Sequence, residues 1–143
     1  MLESAHARGL AAKEVETILY KKSGLLAISG ISNDMRDLLK SAEPAARLAV
    51  DYFVYRAAKE IGALSAALGG LDGLVFTAGI GEHAAPIRSR VVRACEWLGA
   101  MIDEEANNSR RELIHAPSSR MQVVVLPTDE ERMIATHTLR RTI

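Results

Sequence analysis

Cysteine is almost absent from this chain: of 143 residues only Cys95 is a thiol, so no internal disulfide can form. Cys95 sits in VVRACEWLGA, on the apolar side of an expected helix with no histidine beside it. It reads as core packing rather than as a nucleophile. Net charge is lacking too. Lys and Arg total 18, Asp and Glu total 18, and the balance leaves no field to hold a nucleic acid or an acidic membrane. No apolar run approaches the ~20 residues that cross a bilayer. The opening MLESAHARGL lacks the apolar stretch of a secretory leader, so a cytoplasmic location is expected. The four histidines, His6, His83, His115 and His137, show no metal-ligand spacing, which removes zinc-site and triad chemistry.

Aromatic residues are scarce as well, at 4%, yet hydrophobic residues reach 48% and charged residues 25%, the balance of an ordinary globular protein. A chain of this length suits one domain over residues 1–143, burying roughly two-thirds of its unfolded surface. No repeat, low-complexity tract or Ser/Pro-rich linker divides it. Leu10, Val15, Ile18 and Leu19 recur at three and four spacings and predict a short amphipathic helix ended by Gly24. GLLAISGIS is apolar and short, and reads as a strand or buried turn. Ser32 or Asn33 can cap the helix after it. Beyond Pro44, AARLAVDYFVYRAAKEIGALSAAL is Ala- and Leu-rich and free of proline, hence a long helix. Leu48, Tyr52, Tyr55, Ile61, Leu64 and Leu68 are its expected core face, and Gly69-Gly70 stops it.

Leu74, Val75 and Phe76 form an expected strand running into a glycine-rich bend, Thr77 to Glu82, and then a helix from about Pro86 to Gly99. A second strand, Met121 to Leu126, ends at Pro127 and leads into a helix near Thr128. Asn107-Asn108-Ser109 and Pro117-Ser118-Ser119 read as surface turns. Strands alternating with helices predict an α/β domain.

Three segments could carry chemistry. In VFTAGIGEH, Gly79 and Gly81 follow a strand, where backbone N–H groups can approach a ligand that a Cβ would repel. A tight structural turn explains the same spacing. In SNDMRD, Arg36 between Asp34 and Asp37 reads first as a solvated helix end with local ion pairs. In PTDEE, Thr128 and Glu131 have capping-box spacing, which leaves Asp129 and Glu130 free to hold Mg²⁺ beside a nucleotide.

Taken in order, SGLLAISG (23–30), SNDMRD (32–37), FVYRAAKEIGAL (53–64), VFTAGIGEH (75–83) and LPTDEE (126–131) resemble the C-terminal part of acetate kinases. Five motifs in sequence are far more specific than any one. The resemblance implies an actin-like, ribonuclease-H-like α/β fold, the C-terminal half of a two-domain kinase, with ATP or ADP and Mg²⁺ as cofactors. It implies that Asp34, Met35 and Arg36 lie against the adenosine, that Gly79, Ile80, Gly81, Glu82 and His83 contact the nucleotide, and that Glu130 serves the magnesium ion. Two departures stand out: the loop reads GIGEH where GIGEN is usual, and the last motif TDEE where TNEE is usual. An imidazole at His83 can still donate one hydrogen bond, as an amide does. Acetate kinases run to about 400 residues, a size that implies more than one domain. The phosphate-binding loop and acyl pocket of their N-terminal half have no counterpart here. The resemblance therefore implies no catalytic residue in this portion, and partners in the missing half and in a homodimer mate. A propionate kinase and a non-catalytic dimerisation module are the alternatives.

Overall fold

The computed structural model describes residues 11–142, with the side chains of Glu130, Glu131 and residues 140–142 excepted. The chain divides into two compact units, one running to Phe53 and the other beginning at Val54.

The first unit is helical. Helix α1 spans Ala12–Lys21 and buries none of its residues; Leu10 of the predicted stripe lies outside the described residues. GLLAIS is not a strand but helix α2, Gly24–Ser29, closed by Gly30 in the left-handed conformation at φ 65°. The Gly30 N–H donates to the Leu26 carbonyl at 2.8 Å, a helix C-terminus that glycine reaches without steric cost. Ser29 Oγ then accepts the N–H groups of Ile31 and Ser32. Helix α3, Met35–Lys40, is capped by Asp34 rather than by Ser32 or Asn33. Ser32 Oγ instead accepts the Asp34 N–H and donates to Asp37.

Helix α4 spans Pro44–Leu68, and most of its large apolar residues are not buried. Ala46, Ala49, Val50, Val54 and Ser65 are buried, while Leu48, Tyr55 and Leu68 are 59%, 61% and 71% exposed. Of the six residues expected inside, only Ile61 packs against a core. Ala46 and Ala49 are fully buried, and small residues give no signal in a count of large apolar ones.

The second unit holds the sheet. Strands β1, Gly73–Phe76, and β2, Gln122–Val125, pair in parallel with Phe76 opposite Val125. Between them lie α5, Ala78–His83; α6, Ala85–Ala94; a 3-10 turn, Glu96–Leu98, ended by left-handed Gly99; and α7, Glu104–Asn108. Helix α8, Glu130–Thr142, follows β2. The single predicted helix to Gly99 thus stops at Ala94. Asn107 and Asn108 are helical rather than a surface turn, because Asp103 caps α7 by accepting the Ala106 N–H and Asn107 is buried. Cys95 packs with Val92, Ala100, Ala106, Ile114, Met121 and Val123. Burial pushes its thiol pKa up, as expected for an inert core cysteine.

Candidate functional site

Both strands of a parallel pair end on the same side, and in open α/β sheets that carboxyl side is where ligands bind. The last rung is the Leu126 N–H donating to the Phe76 carbonyl at 2.9 Å. Beyond it the two chemistry-bearing segments, Thr77–His83 and Pro127–Asp129, leave the sheet together.

The glycine-rich segment is a short helix rather than an open bend. Thr77 is extended, and Ala78 then turns the chain in the left-handed region at φ 58°, a conformation that strains a residue with a Cβ. Gly79 and Gly81 differ in purpose. A Cβ on Gly81 would sit 3.1 Å from the Phe76 carbonyl carbon, so glycine there serves the packing of α5 on β1. A Cβ on Gly79 would meet nothing within 4 Å. Nothing among the described residues requires glycine at 79, and the open space suits a ligand's approach. Ile80 and Glu82 are half-buried, and His83 is exposed.

Two contacts fix this turn. Arg88 is 1% exposed and faces no carboxylate among the described residues. Its Nη1 donates to the Gly81 and Glu82 carbonyls at 2.8 and 2.9 Å. Its Nε and Nη2 donate to Asn107 Oδ1 and to the Asn107 carbonyl at 2.7 and 2.9 Å. Asn107 Nδ2 donates in turn to the Ala85 carbonyl. Burial and the charge of Arg110 push the Arg88 pKa down, although guanidinium stays charged in proteins. The second contact joins the two segments: Glu82 Oε1 accepts the Thr128 N–H at 2.9 Å and the Thr128 hydroxyl at 3.0 Å. Those two bonds hold the Glu82 carboxyl pKa below its ordinary value.

The PTDEE junction is not the expected capping box. Helix α8 starts at Glu130, and Asp129 is its cap, with Oδ1 accepting the Arg132 N–H at 2.9 Å. Thr128 is taken by Glu82, and Glu131 stands one position short of the place from which a box partner reaches back. The Glu130 side chain lies outside the described residues.

In the first unit, Asp34 Oδ1 accepts the Arg36 N–H at 2.8 Å, and the Arg36 guanidinium forks onto both carboxylate oxygens. Arg36 holds the Asp34 carboxyl down at about 2 against an ordinary 3.8. A depressed carboxyl stabilises the folded state fully above its unfolded value and loses that contribution as pH falls through about 2, so the pair is intact at neutral pH. Met35 is buried, and the Arg36 side chain is exposed.

A family model described as the acetokinase family matches residues 3–136. The chain belongs to the acetokinase family. An acetate kinase of Rhizobium meliloti is 54% identical over 132 residues, covering 92% of this chain and 34% of the relative. This acetokinase-family chain superposes on a crystal structure of Porphyromonas gingivalis acetate kinase with TM-score 0.82 at 40% identity, covering 95% of the chain and 36% of that structure. It matches a propionate kinase from Francisella tularensis with TM-score 0.81 at 37% identity, covering 92% and 34%. The chain thus spans about a third of the length of the relatives it matches.

Sequence reasoning misses Arg88, Asn107 and the Glu82–Thr128 pair. The first leaves a trace: Arg88 shares the helical stripe of Val91, Val92 and Cys95, and an arginine on an apolar stripe must find buried acceptors. The pair leaves none, since its partners stand 46 residues apart.

Proposed function

We propose that this chain is the nucleotide-binding, C-terminal portion of an acetate kinase with an actin-like fold, holding ATP or ADP with Mg²⁺. The carrying observation is that the glycine turn, open at Gly79, and the Thr128–Glu130 junction leave the sheet at one end and are joined there by Glu82. The family reaction, phosphoryl transfer from ATP to acetate, depends on positioning and charge neutralisation. Gly79, Ile80, Gly81 and His83 line the nucleotide and Glu130 takes the magnesium; for Asp34, Met35 and Arg36, in the first unit, an adenosine role is supported by the family resemblance alone.

The donor chemistry of the PTDEE segment suits Mg²⁺. It usually travels on phosphates and needs only one or two protein carboxylates, and the second segment offers oxygen donors without thiolate or paired imidazole. When bound, the ion would neutralise phosphate charge; the chain's own part is to bind and orient the nucleotide. The acceptor pocket falls to the rest of the family's length. The likeness to a propionate kinase therefore leaves acetate and propionate as acceptors that this segment does not discriminate. The exposed apolar residues of α4 support partners in that remaining length and in a second copy.

The test has two arms. The 143-residue chain alone should form no ADP from ATP in an acetate-dependent manner. A chimera in which this sequence replaces the matching third of the Rhizobium meliloti acetate kinase should turn over at about 1 per second or faster. Turnover by the chain alone would place the acceptor site within it. A folded but inactive chimera would sink the kinase reading.

A further inference from the structure

We propose that Glu82 is a positioning residue: its carboxylate clasps Thr128 and thereby sets where the Asp129–Glu130 turn presents its carboxylate, with the glycine turn as the fixed frame. The inference rests on the nucleotide and magnesium reading of this site, and it gives Glu82 a task other than touching the nucleotide. One oxygen, Oε1, receives both Thr128 donors. Thr128 is the first residue after the sheet with a backbone N–H to satisfy, because the last rung is made by Leu126 and Pro127 has none. Loss of Glu82 removes the acceptor of that group and frees the chain between β2 and α8 ahead of the Asp129 cap.

Both sides of the clasp are anchored. Behind Glu82, the buried Arg88 holds the Gly81 and Glu82 carbonyls against Asn107. Ahead of Thr128, Asp129 accepts the Arg132 N–H through Oδ1 and the Met133 N–H through its carbonyl. A continuous line of hydrogen bonds therefore runs from α7 through the glycine turn to the start of α8. Hydrogen bonding argues the same way: a carboxylate oxygen engaged by an N–H and a hydroxyl is already satisfied. Positioning by such outer partners commonly governs metal affinity by about 10–100-fold.

The test uses two readouts. In the 143-residue chain, hydrogen exchange at the Thr128 amide should be slow, accelerate in Glu82→Ala, and return toward the parent rate in Glu82→Gln, whose amide oxygen can accept the same two bonds. In the chimera, Glu82→Ala should raise the Mg²⁺ concentration for half-maximal rate by about 10-fold. The nucleotide KM at saturating Mg²⁺ should stay within about 3-fold of the parent, and Glu82→Gln should recover most of the loss. Unchanged Thr128 exchange in Glu82→Ala overturns the clasp. Accelerated exchange with an unmoved Mg²⁺ requirement reduces it to a local brace and overturns the positioning role. A raised nucleotide KM with normal Mg²⁺ dependence makes Glu82 a direct contact instead. An inactive parent chimera, or Glu130→Ala with an unmoved Mg²⁺ requirement, fails the kinase reading and removes the functional role, while the exchange result still decides the clasp.

Discussion

Arg88→Met should unfold the second unit or lower its stability by on the order of 3–5 kcal/mol, the largest stability effect expected from any single side chain here. The guanidinium is fully enclosed and delivers four hydrogen bonds, to the Gly81, Glu82 and Asn107 carbonyls and to Asn107 Oδ1. Methionine fills similar volume but leaves those acceptors, the two on Asn107 buried and the Gly81 and Glu82 carbonyls part-buried, without their donor. Swapping a whole buried ion pair for apolar residues can be neutral, because both charges leave together. Here the acceptors are mostly backbone and cannot leave. Since a domain of this kind holds only about 5–15 kcal/mol in total, the loss threatens the fold. Arg88→Lys should recover little, because one ammonium cannot reach four acceptors arranged around a guanidinium. Urea unfolding of parent and both variants checks this; a Met variant within about 1 kcal/mol of the parent would show that the network contributes little.

Gly79→Leu and Gly81→Ala should separate binding from folding. Gly81→Ala pushes a Cβ to 3.1 Å from the Phe76 carbonyl carbon, and backbone on backbone has little room to yield. A cost of about 1–3 kcal/mol is expected. Gly79 faces open space at a φ that side chains adopt, so Leu there should keep the melting temperature or raise it slightly, since glycine is a poor helix former. In the chimera, the same Gly79→Leu should weaken nucleotide binding by about 100-fold, near 2.7 kcal/mol, because the side chain occupies the ligand's approach. Equal loss of stability at both positions would mean that Gly79, too, serves packing. Unchanged nucleotide KM in Gly79→Leu would move the nucleotide elsewhere.

Much of the fold is legible in the amino-acid sequence. Proline-free, Ala-rich sequence predicts α4, and Pro127 with its preceding valines predicts the end of β2; both depend on local chemistry. The differences have both local and tertiary causes. Most large apolar residues of α4 are exposed, while Ala46 and Ala49 are buried. GLLAIS is helical because Gly30 and Ser29 terminate it from the far end. Asp129 rather than Thr128 caps α8 by accepting the Arg132 N–H, while the Thr128 hydroxyl donates to Glu82, distant in sequence. At the site, the glycine motif is visible as a motif, but which glycine is structural and which is open depends on Phe76. Arg88 can be suspected from its stripe, though its partners cannot.

The central claim, nucleotide binding at the end of the sheet with Mg²⁺, is tested most directly by titrating the 143-residue chain with ADP, with and without Mg²⁺, while following backbone amide shifts. Saturable shifts are expected at Gly79 to His83 and at Thr128 and Asp129, with a Kd of about 1 mM or tighter and a clear gain in affinity when Mg²⁺ is present. Shifts confined to other surfaces, or no shift at several times that concentration in a chain whose spectrum shows it folded, would contradict it.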